Sequence, residues 1–401
     1  MRQMKDSGIE WIGEIPESWD VGQIGQLYDE RKVKVSDRDY PPLSVTMKGI
    51  VPQLSTAAKT DAHDDRKLVK KGDFAINSRS DRRGSCGISA YDGSVSLINT
   101  ILCPQTEMNP QYYDWLFHTT MFSDEFYKWG HGIVDDLWTT NWSDMKKISV
   151  PVPSLEEQLR ISTYLDRQCS HIDNIIEKTK ASIEEYKKLR QAVITQAVTK
   201  GVRGDRPMKD SGIEWIGEIP QEWDIISLKY LCNMYAGKNL VSEQIAPEGE
   251  YPVYGGNGIR GYYNEYNCEG NNLLVGRQGA LCGNVHRVSG KFWATEHAVI
   301  TTNTTYCIMN YLFYLLIGMN LNQYVSSTAA QPGLSVSTIQ NVKTCFVPLE
   351  EQQEIAEYLD KKCTEIDSLI SKKEQFLAEL ESYKKSMIYE YVTGKMEVPQ
   401  S

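Results

Sequence analysis

Two long segments of the chain repeat apolar residues every seven positions. In the first segment, the two lines of the repeat run through Leu165, Ile172, Thr179, Tyr186 and Val193, and through Cys169, Ile176, Ile183, Arg190 and Ala197. The second segment repeats the pattern through Leu359, Ile366, Lys373, Leu380 and Met387, and through Cys363, Ile370, Leu377, Lys384 and Tyr391. A sustained repeat of this kind is typical of a coiled coil. The sequence therefore predicts two long helices, each with one narrow apolar face.

The start and the end of the first helix are both marked in the sequence. Pro151 and Pro153 precede it, Ser154 and Glu157 form a capping-box pattern, and no further Pro or Gly follows until Gly201. A helix of this extent is about 68 Å long at the usual helical rise. An apolar face of that length requires a partner.

The simplest partner for each helix is the other one, because polar residues occur at matching points of the two repeats. We predict an antiparallel pair that holds two globular bodies at opposite ends, related by a pseudo-twofold axis. The predicted pairing residues are Leu165, Ile172, Ile176, Ile183, Tyr186, Val193, Leu359, Ile366, Ile370, Leu377, Leu380 and Met387. The alternative is that each helix packs on its own domain.

The chain is also an internal duplication. Residues 4–20 recur as residues 208–224 with identity at 15 of 17 positions, and Leu-Glu-Glu-Gln opens both long helices, at residues 155–158 and 349–352. The bodies between these matched ends share almost no sequence. The predicted divisions are a first domain over 1–152, a central helix over 153–202, a second domain over 203–347, a C-terminal helix over 348–396 and a tail over 397–401.

Composition excludes several classes of protein. The chain has 401 residues, 41% hydrophobic and 24% charged, and its longest apolar run, residues 311–317, falls far short of a bilayer span. The N-terminus lacks the apolar core of a secretory signal, so a cytoplasmic protein is expected, with no membrane partner. The nine cysteines never occur as Cys-x-x-Cys, and the six histidines are far apart. We therefore expect reduced thiols and no metal site.

The net charge of −10 does not exclude binding to DNA. The acidic excess lies in the two repeated leaders and in the C-terminal segment, while the two large bodies are near neutrality. This distribution predicts weak DNA binding by the chain alone.

Two short sequences resemble cofactor-binding or catalytic motifs but lack the neighbouring residues that those motifs require. The glycines of Gly256-Asn-Gly-Ile-Arg-Gly261 precede aromatic, turn-like sequence where a dinucleotide fingerprint would open a helix. Asn109-Pro-Gln-Tyr112 is explained by a helix cap with Pro at the first helical position. No phosphate-binding Gly-Lys-Ser/Thr motif occurs. The sequence thus predicts a chain that is not an enzyme and holds no cofactor of its own.

The duplicated leader Gly-Ile-Glu-Trp-Ile-Gly-Glu-Ile-Pro, the Leu-Glu-Glu-Gln helix openings and the endings at residues 197–201 and 391–395 together resemble the specificity subunit of type I restriction-modification systems. The resemblance covers nearly the whole chain. One departure is that Pro153-Ser154 and a single Pro348 stand where the family usually has two prolines.

The resemblance implies a mixed α/β fold, with two target recognition domains joined by two long helices in an antiparallel coiled coil. It implies a DNA sequence-recognition subunit that reads a bipartite site, one half with each domain, with half-sites roughly one helical turn apart. Two methyltransferase subunits would dock on the helices and carry S-adenosylmethionine, and they would flip the adenine that they methylate. Restriction subunits would add ATP with Mg²⁺.

Side chains that read bases are commonly Arg for guanine and Asn or Gln for adenine. The best segment in the first body is the polar loop after Phe74-Ala-Ile76, and residues 275–279 look like its counterpart in the second body. The candidates are Asn77, Ser78, Arg79, Arg82, Arg83, Asn257, Arg260, Arg277, Gln278 and Gln331. For each residue, the alternative is a solvated or phosphate-contacting side chain.

Two other functions stay open at the level of sequence. The chain could be a coiled-coil adaptor with two protein-binding heads and no DNA role. A self-sufficient methyltransferase is disfavoured by the missing cofactor and catalytic motifs.

Overall fold

The computed structural model describes residues 2–53, 63–79, 82–133, 138–279, 282–325 and 333–399. The chain divides into two compact units. Unit 1 comprises Met1–Thr179 and Gln375–Ser401, and unit 2 comprises Lys180–Glu374. Each unit therefore contains one body together with part of both long helices.

Unit 1 is built from short strands, short helices and its share of the long helices. Its strands are β1 (Met4–Ile9), β2 (Gly13–Pro16), β3 (Asp20–Gln23), β4 (Tyr28–Glu30), β5 (Lys34–Val35), β6 (Leu43–Thr46), β7 (Gly49–Pro52), β8 (Arg66–Val69), β9 (Phe74–Asn77), β10 (Cys86–Ile88), β11 (Gly93–Val95), β12 (Asn99–Pro104) and β13 (Ser149–Val152). Its short helices are α1 (Ile24–Leu27), α2 (Pro110–Phe117), α3 (Thr120–Lys128) and α4 (Trp142–Met145). Helix α5 (Leu155–Lys200) begins in this unit and continues into unit 2.

Unit 2 is likewise built from short strands, short helices and its share of the long helices. Its strands are β14 (Met208–Asp210), β15 (Glu218–Pro220), β16 (Asp224–Ser227), β17 (Cys232–Ala236), β18 (Tyr251–Gly255), β19 (Gly258–Tyr263), β20 (Asn272–Gly276), β21 (Val285–Val288), β22 (Trp293–Ala294), β23 (Ala298–Asn303) and β24 (Lys343–Phe346). Its short helices are α6 (Met309–Gly318) and α7 (Val336–Asn341), with 3-10 turns at Leu228–Tyr230, Ser242–Gln244 and Leu321–Tyr324. Helix α8 (Leu349–Val392) begins here and ends in unit 1.

The two bodies share a fold despite their divergent sequences. The central sheet of unit 1 has the order β10-β9-β12-β4, and that of unit 2 has the order β21-β20-β23-β17, with antiparallel neighbours throughout. In both units a hairpin of the leader (β1-β2, β14-β15) precedes a two-stranded ladder (β3-β13, β16-β24). The predicted mixed α/β duplication is therefore confirmed.

The cores of the two bodies differ in chemistry. Unit 1 packs α2 and α3 on its sheet through a chain of aromatic rings, among them Phe74 on Phe117 at 5.1 Å and Phe117 on Phe122 at 4.5 Å between ring centroids. Unit 2 fills the corresponding core mainly with aliphatic side chains such as Leu273 and Val299. Different side chains thus fill the same framework, which is possible when volume and apolar pattern are conserved.

The long helices run antiparallel within each unit, as predicted. In unit 1, Tyr164 packs on Tyr391 at 4.7 Å between ring centroids, and Asp173 accepts hydrogen bonds from the Lys384 ammonium at 2.6 and 2.7 Å. Later residues of α5 thus meet earlier residues of α8. This order of contacts is that of an antiparallel pair.

Unit 2 repeats the ion pair between the helices. Arg190 Nε lies 2.9 Å from Asp367 Oδ1, and Lys373 Nζ lies 5.7 Å from the centroid of the Tyr186 ring. Arg190 and Lys384, the polar residues at matching points of the heptad repeats, therefore each pair with an aspartate of the other helix. Such pairs fix the register of a coiled coil at little net gain in stability.

Every predicted pairing residue is shielded from solvent at least in part. Those that are buried are Leu165, Ile172, Ile183, Leu359, Ile366 and Met387. Those of intermediate exposure are Ile176, Tyr186, Val193, Ile370, Leu377 and Leu380.

A glutamate, half-buried in unit 1 and buried in unit 2, joins each leader to the start of a long helix. In unit 1, Trp19 Nε1 donates to Glu157 Oε2 at 2.9 Å, and the Arg2 guanidinium also pairs with Glu157. In unit 2, Trp223 Nε1 donates to Glu351 Oε2 at 3.0 Å. The repeated tryptophan of the leader and the second glutamate of Leu-Glu-Glu-Gln therefore form the same hydrogen bond between leader and helix in both units.

The glutamine of Leu-Glu-Glu-Gln is hydrogen-bonded to the backbone of the body in each unit. Gln158 Nε2 donates to Pro153 O, while its Oε1 accepts the Asn109 N–H at 2.8 Å, at the N-terminus of α2. Gln352 makes the same contacts with Val347 O and the Ile308 N–H. Each glutamine thus satisfies a backbone donor that the helix N-terminus leaves unpaired.

Replacement of Glu351 by Ala is expected to destabilise unit 2 strongly. Glu351 is 1% exposed and also pairs with Arg206, so its removal leaves a buried indole N–H without its acceptor and takes one of three acceptors from the Arg206 guanidinium. We expect a loss of about 2–4 kcal/mol, or a fall of roughly 5–15 °C in Tm, in thermal unfolding of the full chain. The matched control is Glu350→Ala in the same helical turn, whose side chain is 86% exposed. An equal shift in both variants would contradict the role given to the buried carboxylate.

Candidate nucleic-acid interface

In unit 1 the predicted loop leaves the sheet directly after β9. Asn77 and Ser78 are buried, and both side chains hold the loop from within. Asn77 Oδ1 accepts the Arg79 N–H at 3.0 Å, and the Ser78 hydroxyl donates to Ile98 O. These two buried side chains therefore support the loop.

Three arginines of this loop, Arg79, Arg82 and Arg83, are exposed. The Arg83 guanidinium lies over the Tyr127 ring, with its carbon 3.6 Å from the ring centroid, and its Nη1 is 3.4 Å from Asp124 Oδ1. Stacking of this kind fixes the orientation of a guanidinium without removing its charge.

A small cleft lies beside the loop. Arg79 and Arg83 line it together with aromatic side chains, among them Phe122, Tyr127 and Trp138. The loop of unit 1 thus presents arginine side chains beside aromatic rings, an arrangement suited to nucleic acid.

In unit 2 the equivalent loop follows β20. The Arg277 N–H donates to His297 O at 3.0 Å, and the Arg277 Nε is buried without a hydrogen-bond partner among the described residues. Gln278 is half-buried, and its Oε1 lies 2.5 Å from His297 Nδ1. The amide of Gln278 is therefore held by a side chain of the neighbouring segment.

The strand ladders align the two loops residue by residue. In unit 1, Asn77 pairs with Asn99, and two residues later Arg79 forms a bridge with Thr139. The Ser78 N–H between them donates to Ile98 O at 3.1 Å.

Unit 2 has the same contacts with other residues. Gly276 pairs with Ala298, and two residues later Gln278 forms a bridge with Gly333. The segment 275–279 is therefore the structural counterpart of the first loop, and within it Gln278, not Arg277, occupies the place of Arg79.

A second turn of unit 2 lies beside this loop. Asn257 is exposed in the turn between β18 and β19, and its Oδ1 accepts a hydrogen bond from Asn284 Nδ2 at 3.2 Å. Arg260 is exposed on β19, with its side chain close to Gly255. Gln331 lies outside the described residues.

Sequence patterns did not single out His297, Glu296 or Asn284. His297 has no partner histidine at metal-ligand spacing, and it stands 19 positions from Gln278 in the sequence. The only available signal was indirect, since Glu296 and His297 directly precede the apolar residues 298–300.

The described residues contain no cluster of three or more His, Cys, Asp or Glu that could hold a metal ion. None of their helices has an apolar stretch able to span a bilayer. All nine cysteines are free thiols. Burial raises the pKa of Cys232 and Cys345 to about 12, so these thiols stay protonated near neutral pH.

Comparison with known proteins assigns this architecture to a family. The model of the type I restriction modification DNA specificity domain matches residues 16–185 and again residues 220–381. The chain belongs to this family. It carries two copies of the domain, and it is a type I specificity subunit with a role in DNA recognition.

Curated relatives agree with this assignment. The chain is 44% identical over 147 residues to the type I restriction enzyme EcoprrI specificity subunit of Escherichia coli, an alignment that covers 36% of each chain. It is 24% identical over 421 residues to the MjaVIII specificity subunit of Methanocaldococcus jannaschii, covering 96% of this chain and 94% of the relative. None of these relatives supports an adaptor without a DNA role.

Solved structures show the same fold. One match is a chain from a solved structure that concerns complex assembly and conformational transition of the type I R-M system. The match covers 95% of this chain and 99% of that chain, with a TM-score of 0.74 and 13% identity. The HsdS subunit of Thermoanaerobacter tengcongensis matches 95% of this chain and 98% of its own, with a TM-score of 0.50 and 15% identity.

Replacement of Asn77 by Ala is expected to loosen the loop of unit 1. The Arg79 N–H loses its acceptor, which should lower the free energy of unfolding by about 1 kcal/mol. Urea unfolding of the full chain measures this loss. Asn141→Ala is the control, because Asn141 precedes α4 without a side-chain capping bond. If both variants match the parent chain, the loop does not depend on Asn77.

Proposed function

We propose that each unit reads one half of a bipartite DNA site. The observation that carries the proposal is that the two units present structurally equivalent loops with different side chains, Arg79 in unit 1 and Gln278 in unit 2. A shared framework with exchanged polar residues is what two related but distinct base-reading surfaces require. Arg79, Arg82 and Arg83 serve the first half-site.

The second half-site is served by the corresponding loop of unit 2 and the turn beside it. We assign its contacts to Asn257, Arg260, Arg277 and Gln278. Gln331 stays a sequence-based candidate. Those side chains that do not touch bases contact phosphates, which position the duplex without specifying sequence.

The chain itself carries out no chemistry in this proposal. Two methyltransferase subunits dock on α5 and α8 and bring S-adenosylmethionine, and restriction subunits bring ATP and Mg²⁺. Support comes from the related solved structure with the same fold, which is that of complex assembly in a type I R-M system. The near-neutral charge of the bodies fits a subunit that binds DNA firmly only together with its partners.

Arg79→Ala and Arg277→Ala should each change recognition of one half-site only. Removal of a base-contacting arginine costs about 1–3 kcal/mol of discrimination at a single base pair. Sequencing-based methylation mapping of DNA from cells that express each variant with the methyltransferase measures this change. The half-site of the other unit is the internal control. Equal loss at both halves would contradict the assignment of that residue to one unit.

DNA binding by the reconstituted complex should weaken steeply as salt is raised. Contacts to phosphates release counterions, so the logarithm of the affinity falls linearly with the logarithm of the salt concentration. Fluorescence anisotropy with a labelled duplex at several salt concentrations measures the slope. An adaptor without a DNA role predicts no specific duplex binding at any salt concentration.

A further inference from the structure

In unit 2, His297 contacts the amide of Gln278 through one ring nitrogen and Glu296 through the other. His297 Nδ1 lies 2.5 Å from Gln278 Oε1, and His297 Nε2 lies 3.1 Å from Glu296 Oε1. A ring nitrogen that carries a proton donates it, from Nδ1 to the amide oxygen and from Nε2 to the carboxylate. The three side chains thus form a chain of contacts that ends at the amide of Gln278.

We infer that His297, held by Glu296, is a positioning residue that fixes Gln278 with its amide nitrogen as the group offered to DNA. This inference rests on the proposed function and deepens it at one base pair. The Oε1 atom accepts from His297 in the tautomer that has its proton on Nδ1, and within the described ranges no acceptor takes the Nε2 protons of Gln278. The side chain therefore meets a ligand as a donor.

The comparison of the two units supports the same role. In the aligned ladders, unit 1 has Leu97 and Ile98 at the places of Glu296 and His297, and Arg79 at the place of Gln278. A guanidinium carries only donors, so its hydrogen-bonding character is the same in every orientation. An amide has a donor end and an acceptor end, and it needs a neighbour to decide which one faces outward. Glu296 and His297 occur in unit 2, the unit that has an amide, Gln278, at this place.

The fixed amide determines which base is preferred. Free glutamine pairs with adenine by donating to N7 and accepting from the N6 amino group. When His297 occupies Oε1, this two-way pairing is disfavoured. Guanine presents two acceptors, O6 and N7, and no donor at this edge of the major groove. Unit 2 should therefore read a guanine through the Nε2 protons of Gln278.

The test uses the complete complex of this chain with its methyltransferase and S-adenosylmethionine. Gln278→Ala first identifies the base pair whose preference relaxes. The methylation rate constant kcat/KM is then measured on duplexes with guanine, adenine or 7-deazaguanine at that position. The parent complex should prefer guanine over adenine by about tenfold or more, the range of one good base contact. The substitution by 7-deazaguanine, which lacks N7, should lower the rate.

Two polar variants of His297 form the matched comparison. In His297→Asn, the side-chain amide can place a donor near the position of Nδ1, so the preference for guanine should stay within about twofold of the parent. In His297→Gln, the amide reaches the position of Nε2 instead and leaves Gln278 Oε1 free. The ratio of guanine to adenine should then fall about tenfold at this position only. Thermal unfolding of both variants verifies that they are folded.

The possible outcomes separate the two proposals. If His297→Gln keeps the parent preference, or if both variants lose it equally, His297 does not orient Gln278 and the inference is overturned. A preference for adenine at the position identified by Gln278→Ala also overturns it. In each of these cases the bipartite site of the parent complex stays intact. If the parent complex methylates no bipartite site, or if Gln278→Ala changes both halves equally, the proposed function itself fails.

Discussion

A carboxylate in the first turn of each long helix, half-buried at Glu157 and buried at Glu351, is the contact that joins body and helix. Glu157 and Glu351 each accept the indole N–H of a leader tryptophan and pair with an arginine that lies over the same indole ring. A buried carboxylate is costly unless all its acceptors are used, so the tryptophan, the arginine and the glutamate depend on one another. The direction in which the helix starts and the position of the body are consequently set together.

This dependence explains the distribution of sequence identity within the chain. The repeated segments are those whose side chains meet at the junction, namely the leaders and the helix openings. The glutamine after each of these glutamates holds the N-terminus of α2 or α6 in the same way in both units. The bodies, in contrast, need only an apolar pattern of suitable volume, and an aromatic core in unit 1 serves the same sheet as an aliphatic core in unit 2.

The loops carry the differences on which the proposed recognition of DNA depends. Both follow the second strand of the central sheet, where the backbone contacts are the same in the two units. In unit 1 the loop is held by Asn77 from within and exposes arginines, one of them stacked on Tyr127. In unit 2 a glycine takes the place of Asn77, and support comes from His297. A rigid sheet with exchangeable loops allows specificity to change without loss of the fold.

The sequence by itself determined the two long helices, their pairing partners and the duplication, because a heptad repeat and a helix cap are local patterns whose geometry follows from neighbouring residues. It also located the polar loops, since these follow apolar strands directly. Only the tertiary structure decided which loop side chains turn inward, as Asn77 and Ser78 do, and which residue stands in the place of Arg79. The contact of Gln278 with His297 likewise depends on two strands that are distant in sequence and adjacent in the sheet. Strand pairing brings such residues together, and no local pattern encodes it.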